Sequence, residues 1–273
     1  MRTLAGIVVM FLLQLPVAGL GHGPEEGTAA YAKASLSERV GETVPREAPV
    51  VDEHGGEMLL GTLLDRPAIL TLVYYRCRDV CPEMLIGLAK ALAKTRFRPG
   101  EDYRVITMSI DDTDTPETAM ARKRDLFTSR ESSLPEDSWR FLTGNPETIR
   151  RISEAVGVTY RRTGKGFIHP EVLVFLSAGG TIVRYVHLSR FSYGASHPVS
   201  FSPVEIGDGL TAASQTRIGA PGSRSPLYCS VDREGMKGYF GILQAAGIVT
   251  LLMILALVLF LRRGRRRGGK MRD

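Results

Sequence analysis

Residues 68–75, AILTLVYY, constrain the fold of this chain more than any other segment. Apart from one threonine, the run is apolar or aromatic, and it is rich in β-branched residues. A strand without a polar face must be buried on both sides, as strands are in a parallel sheet covered by helices. The run therefore predicts a central strand of an α/β domain.

The segments on either side alternate between strand and helix patterns. Strands are predicted at about residues 68–75, 103–110, 139–142, 171–176 and 181–186, with a turn at 177–180. Helices with a proline in their first turn are predicted at about residues 82–94, 116–127, 146–156 and 203–215. The order β-α-β-α-β-α-β-β-α predicts an α/β fold in which helices flank a mixed sheet.

Two of the three cysteines lie at the end of the first strand, in the motif Cys77-Arg-Asp-Val-Cys81-Pro. This edge of an open α/β sheet is where sites form, and a helix N-terminus favours thiolate over thiol. Thiolates are nucleophiles and are also the ligands that Cu(I) prefers. The C-x3-C spacing is wider than the redox C-x2-C and suits two sulfurs around one ion, although it leaves a disulfide open.

Two thiolates leave a metal ion under-coordinated, so a third ligand is needed. Five histidines compete for this role: His22, His54, His169, His187 and His197. His169 directly precedes a predicted strand and follows the glycine-containing segment 164–166, from which it could point back toward the cysteines. The residues alone do not select among the five.

Several segments resemble the Sco/SenC family, copper-handling proteins of cytochrome c oxidase assembly. They are YYRCRDVCPE at 74–83, SIDDTDTPE at 109–117, His169 with VLVFLSAGG at 172–180, and IVRY at 182–185. The similarity runs from about residue 50 to residue 241. The stretch from LYCS at 227–230 to residue 239 looks like the branch of the family with a C-terminal membrane anchor.

The resemblance implies a thioredoxin-like fold and Cu(I) bound by Cys77, Cys81 and His169, with Cu(II) as a second state of the metal. It implies copper delivery to the binuclear copper centre of oxidase subunit II, or to another copper-accepting protein. Reduction of that subunit's cysteines is an alternative. An upstream periplasmic copper donor is a further implied partner.

The chain departs from the family pattern beside its proposed ligands. Arg78 follows the first cysteine where the family has proline, and Asp112 also replaces a proline. Ile168 and Pro170 flank His169 where the family has Asp and Ser. None of these changes removes a ligand. Arg78 adds a positive charge that favours thiolate, and the missing acid beside His169 is expected to alter how the ring is oriented.

The two ends of the chain predict export and a single membrane span. Residues 1–21 have the pattern of a signal peptide, and no cysteine near them would support a lipid anchor. Residues 239–261 carry no charge over a length that crosses a bilayer. The predicted organisation is a signal peptide (1–21), a flexible lead-in (22–46), a copper-binding domain (47–216), a linker (217–237), a transmembrane helix (238–261) and a cytoplasmic tail (262–273).

Charge fixes the predicted topology. The tail after residue 261 has seven basic residues and one acid, which gives 7 − 1 = +6, the formal net charge of the whole chain. Basic flanks stay in the cytoplasm. The domain is therefore expected on the outer, periplasmic face of the inner membrane, and the charge does not indicate nucleic-acid binding.

Other functions and residues remain open at this stage. The main alternative to a copper chaperone, which turns over no substrate, is a membrane-anchored thiol–disulfide oxidoreductase that stores no copper. A peroxidase, with Thr71 and Arg76 as weak candidates, and a sensor are less supported. Asp111 and Asp114 are interpreted as loop and helix-cap residues before any docking role. Cys229 is interpreted as a free or partner-facing thiol.

Overall fold

The computed structural model describes residues 34–78, 80–128, 134–164, 166–188, 201–219, 227–229 and 247–259. The chain divides into two compact units, Met1–Cys229 and Ser230–Asp273. The strands of the first unit are β1 (Ser35–Leu36), β2 (Pro49–Val51), β3 (Glu57–Leu59), β4 (Ala68–Val73), β5 (Arg104–Ser109), β6 (Trp139–Leu142), β7 (Val158–Thr159), β8 (Arg161–Thr163), β9 (Gly166–Leu176), β10 (Ile182–His187) and β11 (Leu227–Cys229). Its helices are α1 (Val80–Leu92), α2 (Pro116–Thr128), α3 (Pro146–Ala155) and α4 (Pro203–Ser214).

The main sheet has the strand order β10-β9-β4-β5-β6. Strands β4, β5 and β6 are parallel, while β9 runs antiparallel to both β4 and β10. All six residues of β4 are buried, which confirms the prediction of a central strand. The mixed α/β fold class is confirmed as well.

The proline and cap signals locate the helices well. The Asn145 side chain accepts a hydrogen bond from the Thr148 N–H at 2.8 Å, and α3 begins at the next residue. Ser202 caps α4 in the same way, ahead of Pro203. Gly209 lets α4 approach the sheet closely, because a Cβ at this position would lie 2.6 Å from the Phe175 ring.

Strand β9 differs from its prediction, because it begins at Gly166 rather than at residue 171. Residues 166–168 of this strand pair with β8, and residues 169–171 pair with β11. Pro170 and two polar residues hide the strand pattern in the sequence, since proline donates no ladder hydrogen bond. His169 therefore lies within a strand and not ahead of one.

The second half of the predicted flexible lead-in also differs, because it packs against the domain. Strand β1 pairs with β7, and Ala34 and Val44 are both buried. The Val44 N–H donates to the Gly180 carbonyl at 3.0 Å, so the hairpin turn holds this segment. Backbone pairing of this kind cannot be recognised from a short, polar sequence.

The second unit contains a helical segment at residues 247–259. Within the described residues, no helix is both long enough and apolar enough to cross a membrane. The predicted span at 238–261 extends past the described segment at both ends. The predicted signal peptide and basic tail lie outside the described residues altogether.

Candidate metal centre

Cys77 and Cys81 bracket the junction between the central strand and the first helix. Residues 74–78, here called the cysteine loop, follow β4, and Cys81 is the second residue of α1. The Cys77 N–H donates to the Tyr74 carbonyl at 3.2 Å, which closes a tight turn. Both cysteines are thiols and each is 1% exposed. Cys81 thus lies in the first helical turn, where the helix dipole stabilises a thiolate.

Arg122 on α2 holds the cysteine loop from one side. Its Nε donates to the Tyr75 carbonyl at 3.0 Å, and its Nη2 donates to the Cys77 carbonyl at 2.6 Å and also to Tyr75. The planar guanidinium presents several N–H donors in a fixed fork, which suits it to two neighbouring carbonyls at once. This contact has no signature in the sequence, because the partners are carbonyls about 45 positions away.

Asp114 holds the same loop from the other side. Its Oδ2 accepts hydrogen bonds from the Tyr75 N–H at 2.8 Å and from the Ser109 hydroxyl at 2.7 Å. Asp111 accepts from the Thr113 N–H at 3.0 Å. These contacts agree with the predicted loop role of the two acids. The predicted cap role differs, because the Thr115 hydroxyl accepts from the Thr118 N–H at 3.5 Å at the start of α2.

His169 lies in β9 with no measurable exposure. Its Nδ1 is 3.2 Å from the Pro170 carbonyl oxygen. A carbonyl can only accept, so Nδ1 carries the proton and Nε2 carries the lone pair. Burial lowers the pKa of His169 to about 4, against smaller opposing effects of the Pro170 carbonyl and of Cys77. The ring is therefore neutral near pH 7, in the form that binds metals.

The His169 Nε2 has no hydrogen-bond partner among the described residues. Ligand atoms of Cys81, His169 and Glu171 all lie within 4.8 Å of one another. Cys77 is outside this cluster, but it is close enough for its charge to act on the His169 ring. The structure thus brings together Cys81 and His169, and it places Cys77 beside them.

Glu171 was missed by the sequence analysis. It is 1% exposed, and its Oε1 is 3.5 Å from the His169 Nε2. The two-residue spacing would have revealed it, because residues i and i+2 of a strand lie on one face. That signal became visible only when β9 was found to extend back through Pro170.

Tyr74 packs against the histidine and helps to set its position. The two rings meet edge to face with centroids 6.3 Å apart, and Tyr74 also packs on Phe167. Gly166 makes room for this ring, since a Cβ there would lie 2.7 Å from the Tyr74 hydroxyl oxygen. The aromatic contacts orient His169 in a chain that lacks the family's acid beside it.

The other residues weighed as site candidates lie elsewhere or have other partners. His54 is 60% exposed, and His187 Nε2 lies 2.9 Å from a Glu38 carboxylate oxygen. His22 and His197 lie outside the described residues. Thr71 bonds to the Val172 carbonyl and Arg76 to Thr113, which gives no support to a peroxidase site. The backbone of Cys229 pairs with that of His169 in the β11–β9 ladder.

The donor atoms fit a soft metal ion. Thiolate sulfur and imidazole nitrogen are the ligands that Cu(I) prefers. The His169 Nε2 is a buried acceptor, so a metal ion bound to it would lower the free energy of the folded protein. Harder ions that favour all-oxygen sites, such as Mg²⁺ and Ca²⁺, would find one carboxylate here.

This sheet order, with two cysteines where the central strand meets its helix, defines a thioredoxin-like protein with a candidate metal centre. The chain belongs to the SCO1/SenC family, because the profile of that family matches residues 42–192, more than half of its length. The resemblance to the family is thereby confirmed, whereas its branch with a C-terminal membrane anchor stays a prediction.

Individual relatives agree with this assignment. Protein SCO1 homolog 1, mitochondrial, of Arabidopsis thaliana is 26% identical over 157 residues, which are 55% of this chain and 42% of that protein. The chain therefore spans less than half of the relative's length. Two crystal structures from Aquifex aeolicus VF5, of a candidate electron transfer protein and a candidate electron transport protein, are 28% and 26% identical, with TM-scores of 0.54 and 0.51. The matches cover 64% of this chain in both cases, and 95% and 99% of those chains.

Proposed function

We propose that this chain binds Cu(I) through Cys77, Cys81 and His169 and passes it to a copper-accepting protein. The proposed recipient is the binuclear copper centre of cytochrome c oxidase subunit II. The observation that carries the proposal is the His169 Nε2, a buried lone pair in a cluster with the Cys81 sulfur. Leaving such an acceptor unpaired costs about 1–3 kcal/mol, and a soft cation beside a thiolate would remove that cost.

The residues of the site have distinct tasks in this function. Two thiolates and one neutral imidazole form a three-donor set, while Arg122 fixes the main chain of Cys77. Copper leaves by ligand exchange, in which thiolates of the acceptor replace these donors one at a time. The metal keeps its oxidation state, so the protein turns over no substrate.

The test is the Cu(I) stoichiometry and affinity of the reduced full chain. We expect one Cu(I), with affinity about 10-fold or more weaker in each of the variants C77S, C81S and H169A. X-ray absorption should show two sulfur neighbours and one nitrogen. The matched control is C229S, which removes a cysteine outside the proposed ligand set and should bind as the wild type does. Full copper retention by H169A would refute the three-ligand site.

We further propose that residues 238–261 anchor the protein in the inner membrane, with the domain in the periplasm and residues 262–273 in the cytoplasm. The uncharged run at 239–261 and the basic tail support this topology. A periplasmic protein would then act as the copper donor. Alkaline phosphatase fused after residue 236 should be active, and the same enzyme fused after residue 273 should be inactive. The opposite pattern would refute the topology.

A thiol–disulfide oxidoreductase is the second candidate function. It is favoured by one observation, namely two buried thiols, one in the first turn of α1 and one in the loop before it, where the helix N-terminus promotes thiolate chemistry. In this case either cysteine substitution should abolish the reduction of an oxidised subunit II peptide, while H169A should leave it intact. The reduction potential of the pair separates the two functions, since a potential too low for reduction by plausible partners would exclude turnover.

A further inference from the structure

Glu171 is the carboxylate member of the cluster around His169. The two residues are two positions apart in β9, so their side chains leave the strand on the same face. The Glu171 Oε1 lies 3.5 Å from the His169 Nε2, whose lone pair faces the cluster. The His169 Nε2 has no hydrogen-bond partner among the described residues, so a cation placed here could use both atoms as donors.

This carboxylate is not needed for Cu(I). Two thiolates and an imidazole already satisfy a soft monovalent ion, and the complex then carries one net negative charge. An added carboxylate would raise that to two negative charges in a site where each donor residue is about 1% exposed or less. When all four donors hold a divalent ion, the complex carries only one net negative charge. Burying less net charge costs less free energy.

We propose that Glu171 supplies a fourth, oxygen donor that lets this site bind a four-coordinate Zn(II) ion in addition to Cu(I). Two sulfurs, one nitrogen and one oxygen match the donor types and the number of ligands found in tetrahedral zinc sites. The inference rests on the proposed function, because it uses the same two cysteines and the same histidine.

The decisive variant is Glu171→Gln, which keeps the side-chain shape and removes the charge. Zn(II) and Co(II) are the probes, because neither oxidises thiols. Co(II) absorption bands report tetrahedral coordination, and competition with a chromophoric chelator gives the Zn(II) and Cu(I) affinities of the reduced full chain. The matched control is Asp112→Asn, which removes an acid that contacts Arg162 and lies outside the cluster.

We expect Glu171→Gln to lose the tetrahedral Co(II) bands and to bind Zn(II) about 10-fold or more weakly. Its Cu(I) affinity should stay within about threefold of the wild type, because the soft donors are intact. The Asp112→Asn variant should match the wild type with all three ions. Equal weakening of Zn(II) and Cu(I) by Glu171→Gln, or no change in either, would overturn the inference.

Circular dichroism would reveal a Glu171→Gln variant that does not fold. In that case, a measurement on the wild-type chain tests the inference. X-ray absorption of the Zn(II) form should show two sulfurs and two light donors, whereas one light donor would overturn the inference. A wild-type chain that binds no Cu(I) would refute the proposed function itself. Cu(I) binding with Zn(II) binding insensitive to Glu171→Gln would refute the fourth donor alone.

Discussion

Replacing Arg122 by methionine would remove the contact that holds the cysteine loop to α2. Arg122 donates to the Tyr75 carbonyl at 3.0 Å and to the Cys77 carbonyl at 2.6 Å. A hydrogen bond from a charged donor contributes about 1.5–3 kcal/mol, and the apolar stem of arginine is largely kept by methionine. Two such bonds from a half-buried side chain predict a loss of about 2–4 kcal/mol in the free energy of unfolding.

The same substitution should weaken copper binding, because the Cys77 main chain would no longer be fixed. Urea unfolding followed by circular dichroism gives the first quantity, and competition with a Cu(I) chelator gives the second. Arg122→Lys should restore only part of each, since the shorter ammonium group lacks the fixed fork of donors with which Arg122 reaches the two carbonyls. Arg124→Met is the matched control, because Arg124 is exposed on the same helix and has no hydrogen bond among the described residues.

The reasoning would be refuted by an Arg122→Met protein that unfolds at the same urea concentration as Arg124→Met and binds Cu(I) as the wild type does. A loss of stability with unchanged copper affinity would restrict Arg122 to a role in folding.

Three further predictions concern burial. The Lys123 ammonium is almost fully buried and lies 2.5 Å from the Glu53 carboxylate. Glu53→Gln removes this counter-charge, so urea unfolding should show a loss of about 3–5 kcal/mol in the free energy of unfolding. Burial lowers the pKa of His169 from 6.5 to about 4. The unfolded chain therefore binds the proton more readily, and the free energy of unfolding falls as the pH is lowered from 6.5 to 4. Urea unfolding of His169→Gln should show a smaller fall over the same pH range. Gly209→Ala forces a Cβ to within 2.6 Å of the Phe175 ring and should cost about 1–3 kcal/mol, whereas Gly207→Ala, with open space around it, should cost nothing.

Local patterns predicted much of the fold. The apolar run before the cysteines located β4, and the cap of Asn145 located α3. The hairpin of β9 and β10 followed from its glycine turn. These elements were predictable because hydrophobic period, proline and capping side chains act over a few residues.

The site was only half predictable, because its remaining parts depend on contacts between distant segments. The spacing of Cys77 and Cys81 identifies them as candidate ligands, but the residues alone could not select His169 among five histidines. Glu171 was hidden because Pro170 interrupts the strand pattern, and the pairing of β9 with β8 and β11 is decided across the sheet. Arg122 was hidden because its partners are carbonyls, which every residue has.

The near-complete burial of both cysteines has a kinetic consequence. Each thiol is 1% exposed, so an acceptor can reach a sulfur only after a local opening of the structure around it. Under the proposed function, copper release would then take two steps, in which local opening precedes ligand exchange. When the acceptor is abundant, the transfer rate should become independent of its concentration and equal the opening rate. Small thiols in the surroundings would meet the same barrier. Slow opening would therefore help the site to retain copper against them, in addition to its affinity for the metal.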